Sequence, residues 1–333
     1  MIRQIQRVAI VRLSALGDIV NSAVVTQFIK STYPQVSLEW ITEEAFAPIL
    51  VCDPHIDKVH TINLKKIKKE KSFSLLKKNI QKLRSLGEFD VIIDLQGLLK
   101  SAIVARIIGT NTYGFDKDSA REALAAFFYK NSANISYATN VVTRNTTLVS
   151  QALNISITDE SLLRKTPIFR SEHIFEKSSS KKSVGFVIGA SWRSKIYPKE
   201  EIVKVCDGIG EDVYLLWGNE EEKARAEWIA QHTLHAVVAP QTNLSELVSL
   251  VSSMDLVVGN DTGPTHLAWA QNIPSITLFG PTTSRMMYET PQNIAIKSDS
   301  KVDIYNIDKE DYSIKDIPSK VVIHHAKELL YGL

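Results

Sequence analysis

The stretch Val8-Ala9-Ile10-Val11-Arg12-Leu13-Ser14-Ala15-Leu16-Gly17-Asp18-Ile19-Val20 decides the fold. Its β-branched run over residues 8–13 reads as a buried strand, and the turn that follows opens directly into a helical pattern. A strand that feeds a helix in this way begins a parallel sheet covered by helices on both faces. The turn then lies at the carboxyl edge of the sheet, where open α/β folds bind their ligands.

Outward from this stretch the scheme continues. Residues 37–41 and 90–95 are the next strand candidates, and 184–189, 213–217, 236–239, 256–259 and 275–279 repeat the pattern in the second half. The architecture therefore occurs twice, as two doubly wound α/β domains. Between them, residues 164–182 hold Pro167, two basic clusters and Ser178-Ser179-Ser180-Lys181-Lys182, a linker composition. The expected domains are 1–174 and 175–333, and the helical pattern over 319–331 can pack on either.

Composition agrees with a folded, two-domain chain. A length of 333 residues suits two domains of ~100–200 residues each. With 44% hydrophobic and 23% charged residues, the chain lies far from the compositions of disorder. Lys+Arg 39 against Asp+Glu 37 leaves a formal charge of +2, too little for a field that attracts nucleic acid. Cys52 and Cys206 fit no disulfide framework or metal-ligand spacing, which suits a reducing cytoplasm. The N-terminus lacks a signal-peptide cleavage site, and no apolar run reaches the ~18 residues of a membrane span. Such a chain can touch a membrane without crossing it.

Four turns carry candidate chemistry. The first, Ser14 to Asp18, is neither a G-x-G-x-x-G fingerprint nor a P-loop, which disfavours dinucleotide and NTP-hydrolysing enzymes. Asp18 either stabilises the positive end of the new helix or stands as a general base at a cleft mouth. The second is Gly259-Asn260-Asp261-Thr262-Gly263-Pro264-Thr265-His266, a strand-to-helix turn whose free N–H groups suit a diphosphate. Its bland alternative is a capped helix with His266 packed or solvated. An aspartic protease would need two Asp-Thr-Gly loops in a β-rich chain, and here there is one. The third, Gly189-Ala190-Ser191-Trp192-Arg193-Ser194-Lys195, offers hydroxyls and cations to phosphate, or is an exposed basic loop. The fourth, Trp217-Gly218-Asn219-Glu220-Glu221-Glu222, presents a carboxylate to ribose hydroxyls, or an acidic first helical turn.

Together with Asp94-Leu95-Gln96-Gly97-Leu98-Leu99-Lys100-Ser101, Gly114-Phe115-Asp116 and Ser119-Ala120-Arg121-Glu122, these turns resemble the ADP-heptose:lipopolysaccharide heptosyltransferases of glycosyltransferase family 9 over nearly the whole chain. The Gly-Phe-Asp and Ser-Ala-Arg-Glu block points to the branch that adds the first heptose. The resemblance implies the GT-B fold, two Rossmann-like domains facing a cleft, and inverting transfer of L-glycero-D-manno-heptose from ADP-heptose to Kdo2-lipid A without a metal or other cofactor. It implies Asp18 and Lys195 as catalytic residues. Donor contacts fall on Ser191, Lys195, Glu222, Asp261, Thr262, Gly263 and His266. Acceptor contacts fall on Ser14, Gly17, Lys65, Lys66, Gln96, Arg121 and Arg144. The implied place of work is the cytoplasmic face of the inner membrane, with peripheral contact and no nucleic-acid partner. The competing expectations are a transferase adding a later heptose and a non-catalytic nucleotide-sugar-binding protein.

Overall fold

In the computed structural model, which describes residues 5–177 and 181–332, the apolar run near the N-terminus forms β1 (Arg7–Val11). It turns through residues 12–15 into α1 (Leu16–Ala23), followed by α2 (Val25–Thr32). The rest of the first unit, Met1–Phe169, comprises β2 (Ser37–Glu43), α3 (Ala47–Val51), β3 (Lys58–Ile62), α4 (Leu64–Glu70), α5 (Phe73–Arg84), β4 (Val91–Asp94), α6 (Leu99–Ile108), β5 (Thr112–Phe115), a 3-10 helix (Ala123–Phe128), β6 (Asn131–Ala133), α7 (Val141–Leu153) and α8 (Asp159–Leu163). Its six parallel strands run in the order β3-β2-β1-β4-β5-β6.

The second unit, Arg170–Leu333, repeats that order. It holds β7 (Ser183–Val187), α9 (Lys199–Ile209), β8 (Asp212–Leu216), α10 (Glu220–Ala230), β9 (Ala236–Val238), α11 (Leu244–Ser252), β10 (Leu256–Asn260), α12 (Gly263–Ala270), β11 (Ser275–Phe279), β12 (Asn293–Lys297) and α13 (Ser319–Tyr331). Its sheet runs β12-β11-β10-β7-β8-β9, also fully parallel. In both units the winding reverses beside the first strand, between β1 and β4 and between β7 and β10. Those are the topological switch points, where the loops leaving two neighbouring strands diverge and open a crevice.

The central strands are buried on both faces and read as unbroken apolar runs, so sequence finds them. The edge strands β3, β6 and β12 escape it, whereas the edge strand β9, Ala-Val-Val, keeps a short apolar run. Sequences such as Lys-Val-His-Thr-Ile and Asn-Ser-Ala present polar residues to water and lack the run that betrays a central strand. The interior strand β5 also escapes, its four residues including Gly114. In unit 1, α5 and α6 cover one face of the sheet, closing a core of Val11, Leu13, Ile92, Leu83, Val104 and Ala105. In unit 2, α13 joins the core through Val322, Ala326 and Leu330, which places the terminal helix on the second unit.

The division falls a few residues before the 174/175 boundary that composition suggests. Ile168 and Phe169 are buried in unit 1, whereas Phe175 packs edge-on against Tyr214 of unit 2 with centroids 5.4 Å apart. The linker's two apolar anchors therefore set where the chain changes core. Of the Ser178-Ser179-Ser180-Lys181-Lys182 run, residues 178–180 lie outside the described residues.

Candidate active site

At the switch point of unit 1 the turns after β1 and β4 are tied to each other. Gln96 accepts the Leu13 N–H through Oε1 at 2.9 Å, and its Nε2 reaches Ser14 Oγ at 3.4 Å. Lys100 Nζ approaches the same hydroxyl at 3.1 Å. The Arg12 guanidinium donates to the Leu95 carbonyl and forms an ion pair with Asp18 at 2.7 Å. Asp18 stands in the first turn of α1, right after Gly17, and also accepts the Ala15 N–H at 3.3 Å. Its side chain is 25% exposed, so the carboxylate is held in place and still reachable from solvent.

Asp94 organises the second of these turns from beneath. It is fully buried, accepting the Gln96 N–H at 2.8 Å and the Tyr129 hydroxyl at 2.7 Å. Burial pushes its carboxyl up, against the hydrogen bonds that hold it down, and burial together with Asp94 pushes the Tyr129 phenol far up. Tyr129 is thereby kept as a donor. Gly97 follows with φ +66°, and a Cβ there would meet the Phe115 ring at 3.0 Å, so both backbone and space call for glycine.

Unit 2 presents a different chemistry at its own switch point. Asn260, fully buried, accepts the Tyr197 N–H at 3.0 Å and donates to the Gly189 carbonyl at 3.1 Å. That ties the turn after β10 to the loop after β7. Asp261 then receives Lys195 Nζ at 2.7 Å and the Thr282 hydroxyl at 2.8 Å on one oxygen, and His266 Nε2 at 2.9 Å on the other. Burial alone would push this carboxyl up, but Lys195 and His266 outweigh it and hold Asp261 well below the usual carboxylate range. The result is a buried, ionised anchor for a cation.

Thr262 is extended and Gly263 begins α12, so the anchored ammonium belongs to the same turn as the positive end of a helix. Glu222 closes the other side, accepting the Gly218 N–H at 2.7 Å while its carboxylate lies over Gly189. A Cβ at position 189 would stand 2.3 Å from that carboxylate, which is why this position in the loop after β7 is glycine. A cavity of about 430 Å³ in the same unit has Arg193, Tyr197, Lys199, Glu221 and Arg225 in its lining.

The family described as Glycosyltransferase family 9 (heptosyltransferase) matches residues 77–304, more than half of the chain. This chain belongs to that family. Lipopolysaccharide heptosyltransferase 1 of Campylobacter coli is 38% identical over 349 residues, spanning 97% of this chain and 98% of that protein. The protein of the same name from Pseudomonas aeruginosa is 31% identical over 289 residues, 83% of this chain and 79% of its own length. In fold, the chain is similar to E. coli heptosyltransferase WaaC with ADP, at a TM-score of 0.81 and 22% identity, covering 97% of this chain and 100% of the other. The two-unit α/β architecture is thus that of the GT-B heptosyltransferases.

In this heptosyltransferase the turns singled out from sequence gather in two places. Ser14, Gly17, Asp18 and Gln96 gather in unit 1; in unit 2 Lys195, Asp261, Thr262, Gly263 and His266 meet, with Glu222 lying over Gly189, whose carbonyl Asn260 holds. Ser191 is exposed on the loop before Lys195, and Arg121 is exposed ahead of the 3-10 helix. Lys65 and Lys66 are exposed on α4, with Lys66 Nζ 3.9 Å from Glu70. His266 is neither solvated nor a lone packed imidazole, since it shares Asp261 with Lys195.

Arg144 departs from expectation. Instead of reaching for an acceptor, its guanidinium is buried and donates to the carbonyls of Ile135 at 2.6 Å, Ser136 at 2.7 Å and Ser119 at 2.8 Å. It also lies over the Phe115 ring, 4.2 Å from the centroid. Its work is to fasten the segment between β5 and α7. Hydrogen bonds from a charged group contribute ~1.5–3 kcal/mol each, so Arg144→Met should lower unfolding free energy by at least about that much. Chemical denaturation checks this, and an unchanged midpoint together with a raised acceptor KM would restore Arg144 to the binding surface.

Sequence reasoning passed over Arg12, Lys100, Asn260 and Thr282, and also Glu43. All but Lys100 stand at or just beyond the carboxyl end of a strand, which is the signal that finds them. Glu43, at the end of β2, is buried and accepts the Leu64 N–H at 3.2 Å; burial pushes its carboxyl up while the charge of Lys100 pulls it down. Among the described residues, His324, His325 and Glu328 of α13 could hold a metal, their donor atoms lying within 4.8 Å of one another. None of them belongs to either switch point.

Proposed function

We propose that this heptosyltransferase transfers L-glycero-D-manno-heptose from ADP-heptose to the 5-hydroxyl of a Kdo residue on Kdo2-lipid A, with inversion at the anomeric carbon, in the assembly of the lipopolysaccharide inner core. The observation that carries the reading is the pairing of chemistries at equivalent points of the two units, an accessible carboxylate at one and a buried, anchored cation at a helix N-terminus at the other. The likeness to lipopolysaccharide heptosyltransferase 1 along nearly the full length supports the choice of substrates.

In this mechanism Asp18 accepts the proton of the acceptor hydroxyl as its oxygen attacks the anomeric carbon. The bond from that carbon to the diphosphate oxygen breaks, and ADP departs with the bonding pair. Lys195 and the Gly263 N–H at the start of α12 meet the growing charge as preorganised electrostatics, which cost no reorganisation when the bond breaks. Glu222 takes the ribose hydroxyls, and Asp261 and His266 act next to the diphosphate by fixing Lys195. The acceptor rests on unit 1 at Ser14, Gly17 and Gln96, and the protein works at the cytoplasmic face of the inner membrane, where a lipid-linked acceptor would be met. Among the described residues no helix is long and apolar enough to cross a membrane.

Incubating the protein with ADP-heptose and Kdo2-lipid A and measuring ADP release together with product mass tests the reading. No ADP release above a blank without acceptor would sink it, and release only with an already heptosylated acceptor would move the enzyme to a later step.

The lysines of α4 should recruit the anionic acceptor electrostatically. Replacing Lys65, Lys66, Lys68 and Lys69 with Gln is expected to raise the acceptor KM and flatten its salt dependence, because exposed charges act over a Debye length of ~8 Å at physiological ionic strength. The KM for ADP-heptose should stay put. An acceptor KM unchanged at low salt would leave these lysines as a solvated face.

A further inference from the structure

The layer that covers one face of the unit 1 sheet exposes several large apolar side chains on its outer surface. On α5, Phe73 and Leu76 are exposed, Phe73 by 79%, and a spacing of three places them on one side of the helix with Lys77. The 3-10 helix that packs on α6 exposes Leu124 by 61% and Phe127 by 81%. Residues three apart eclipse in a 3-10 helix, so these two form a single apolar ridge. Between these elements in sequence, α6 packs against both and exposes Ile103. Large apolar side chains exposed together on neighbouring elements mark a surface that meets something apolar.

Charge says what that something is. From Leu64 to Arg84 the chain carries Lys65, Lys66, Lys68, Lys69, Lys71, Lys77, Lys78, Lys82 and Arg84 against Glu70 alone, nine positive groups to one negative. Glu70 is itself 3.9 Å from Lys66. Lys100, Arg106 and Arg121 add exposed positive charge on and beside α6, against the exposed carboxylates of Asp118 and Glu122, the latter accepting the Leu99 N–H at 2.7 Å. Aromatic and aliphatic tips set among an excess of lysines are complementary to an anionic lipid surface: the rings enter the interface and the ammonium groups meet the headgroups. An acidic protein partner would match the lysines but leave the Phe and Leu tips unexplained.

We infer that the outer face of α4, α5, α6 and the 3-10 helix, with Phe73, Leu76, Leu124 and Phe127 as its inserting tips, docks this enzyme on an anionic bilayer. The inference rests on the lipid-linked acceptor proposed above. α6 begins a few residues after Gln96, and Lys100 in its first turn touches Ser14, so the docking face starts at the acceptor turn itself. A lipid anchored in the bilayer could present its sugar there without leaving the membrane.

Vesicles without acceptor test the docking separately from catalysis. The full chain should sediment with equimolar phosphatidylcholine and phosphatidylglycerol at least about tenfold more tightly than with phosphatidylcholine alone. The double variant Phe73→Ser/Phe127→Ser should bind the mixed vesicles about tenfold more weakly, while turning over a deacylated, water-soluble Kdo acceptor like the parent. An environment-sensitive label on Phe127→Cys should shift to the blue on the mixed vesicles; the same label on Leu234→Cys, an exposed position of unit 2, should not. Cys52 and Cys206 are buried and leave the label where it is placed. Parent-like vesicle binding by the double variant, equal shifts at both labelled positions, or no binding to either vesicle would overturn the inference while leaving transferase activity untouched. Failure of the parent enzyme to use any Kdo acceptor would overturn the functional reading and leave the vesicle result standing.

Discussion

Asp18→Asn is expected to lower kcat by ~10²–10⁴-fold, the range that general base catalysis contributes. The substitution keeps the shape but only one acceptor oxygen, so of the Arg12 guanidinium on Oδ1 and the Ala15 N–H on Oδ2 one loses its partner, a local cost that should show in stability. What it removes from the chemistry is the ability to take a proton. ADP-heptose affinity should change little, since the donor residues belong to unit 2. The loss should therefore fall on kcat and on kcat/KM for acceptor alike, the pattern of an interaction made only in the transition state. A variant that turns over near the parental rate would remove Asp18 from the mechanism. A variant that loses ADP-heptose binding would make it a structural residue instead.

Lys195→Ala should be costly in two separable ways. Lys195 and Asp261 are both buried, and stripping a buried pair of one partner leaves an uncompensated charge, destabilising by roughly 3–5 kcal/mol. ADP affinity and kcat/KM should fall as well, because the ammonium's contact with the diphosphate strengthens as ADP departs. The double variant Lys195→Met/Asp261→Asn separates the two effects, since it removes both charges. It should recover most of the thermal stability and none of the ADP binding. If ADP binding returned along with stability, Lys195 would have no role beyond folding.

The same pair predicts a pH effect. Asp261 is held below the usual carboxylate range, so its contribution to stability is present above the unfolded carboxyl's pKa and disappears only as pH falls through the lower folded value. Without Lys195 that folded value rises, and acid unfolding of Lys195→Ala should begin at a higher pH than in the parent. Coincident acid transitions for the two proteins would show that the pair is not coupled to folding.

Much of this protein can be read from its sequence because the readable features are local. A strand buried on both faces has to be an apolar run, and a turn leading into a helix has to supply a cap or a glycine. That is why 8–13, 184–189 and 256–259 stand out, and why Asp18, Lys195, Asp261 and Glu222 can be chosen from the turns beside them. Edge strands such as β3 and β12 meet water on one side and lose that signal. The two-unit division follows from the same alternation, but its position was set by which core claims Phe169 and Phe175.

Tertiary structure alone decided what the chosen residues do to one another. Lys195 meets Asp261 across 66 positions of sequence, and Arg12 meets Leu95 across 83, only because β10 lies beside β7 and β4 beside β1. No local pattern encodes those neighbours, since strand order is settled by the packing of whole crossover units. Arg144 shows the same limit from the other side. An arginine on a helix reads as free charge, yet three carbonyls of the irregular segment leading into that helix, from Ser119, Ile135 and Ser136, converge on it and bury it. Sequence by itself determined the kinds of groups at each turn and the alternation that builds two parallel sheets. The folded sheet order determined which of those groups touch, because electrostatic and hydrogen-bond partnership depends on distances of a few ångströms that only long-range pairing brings about.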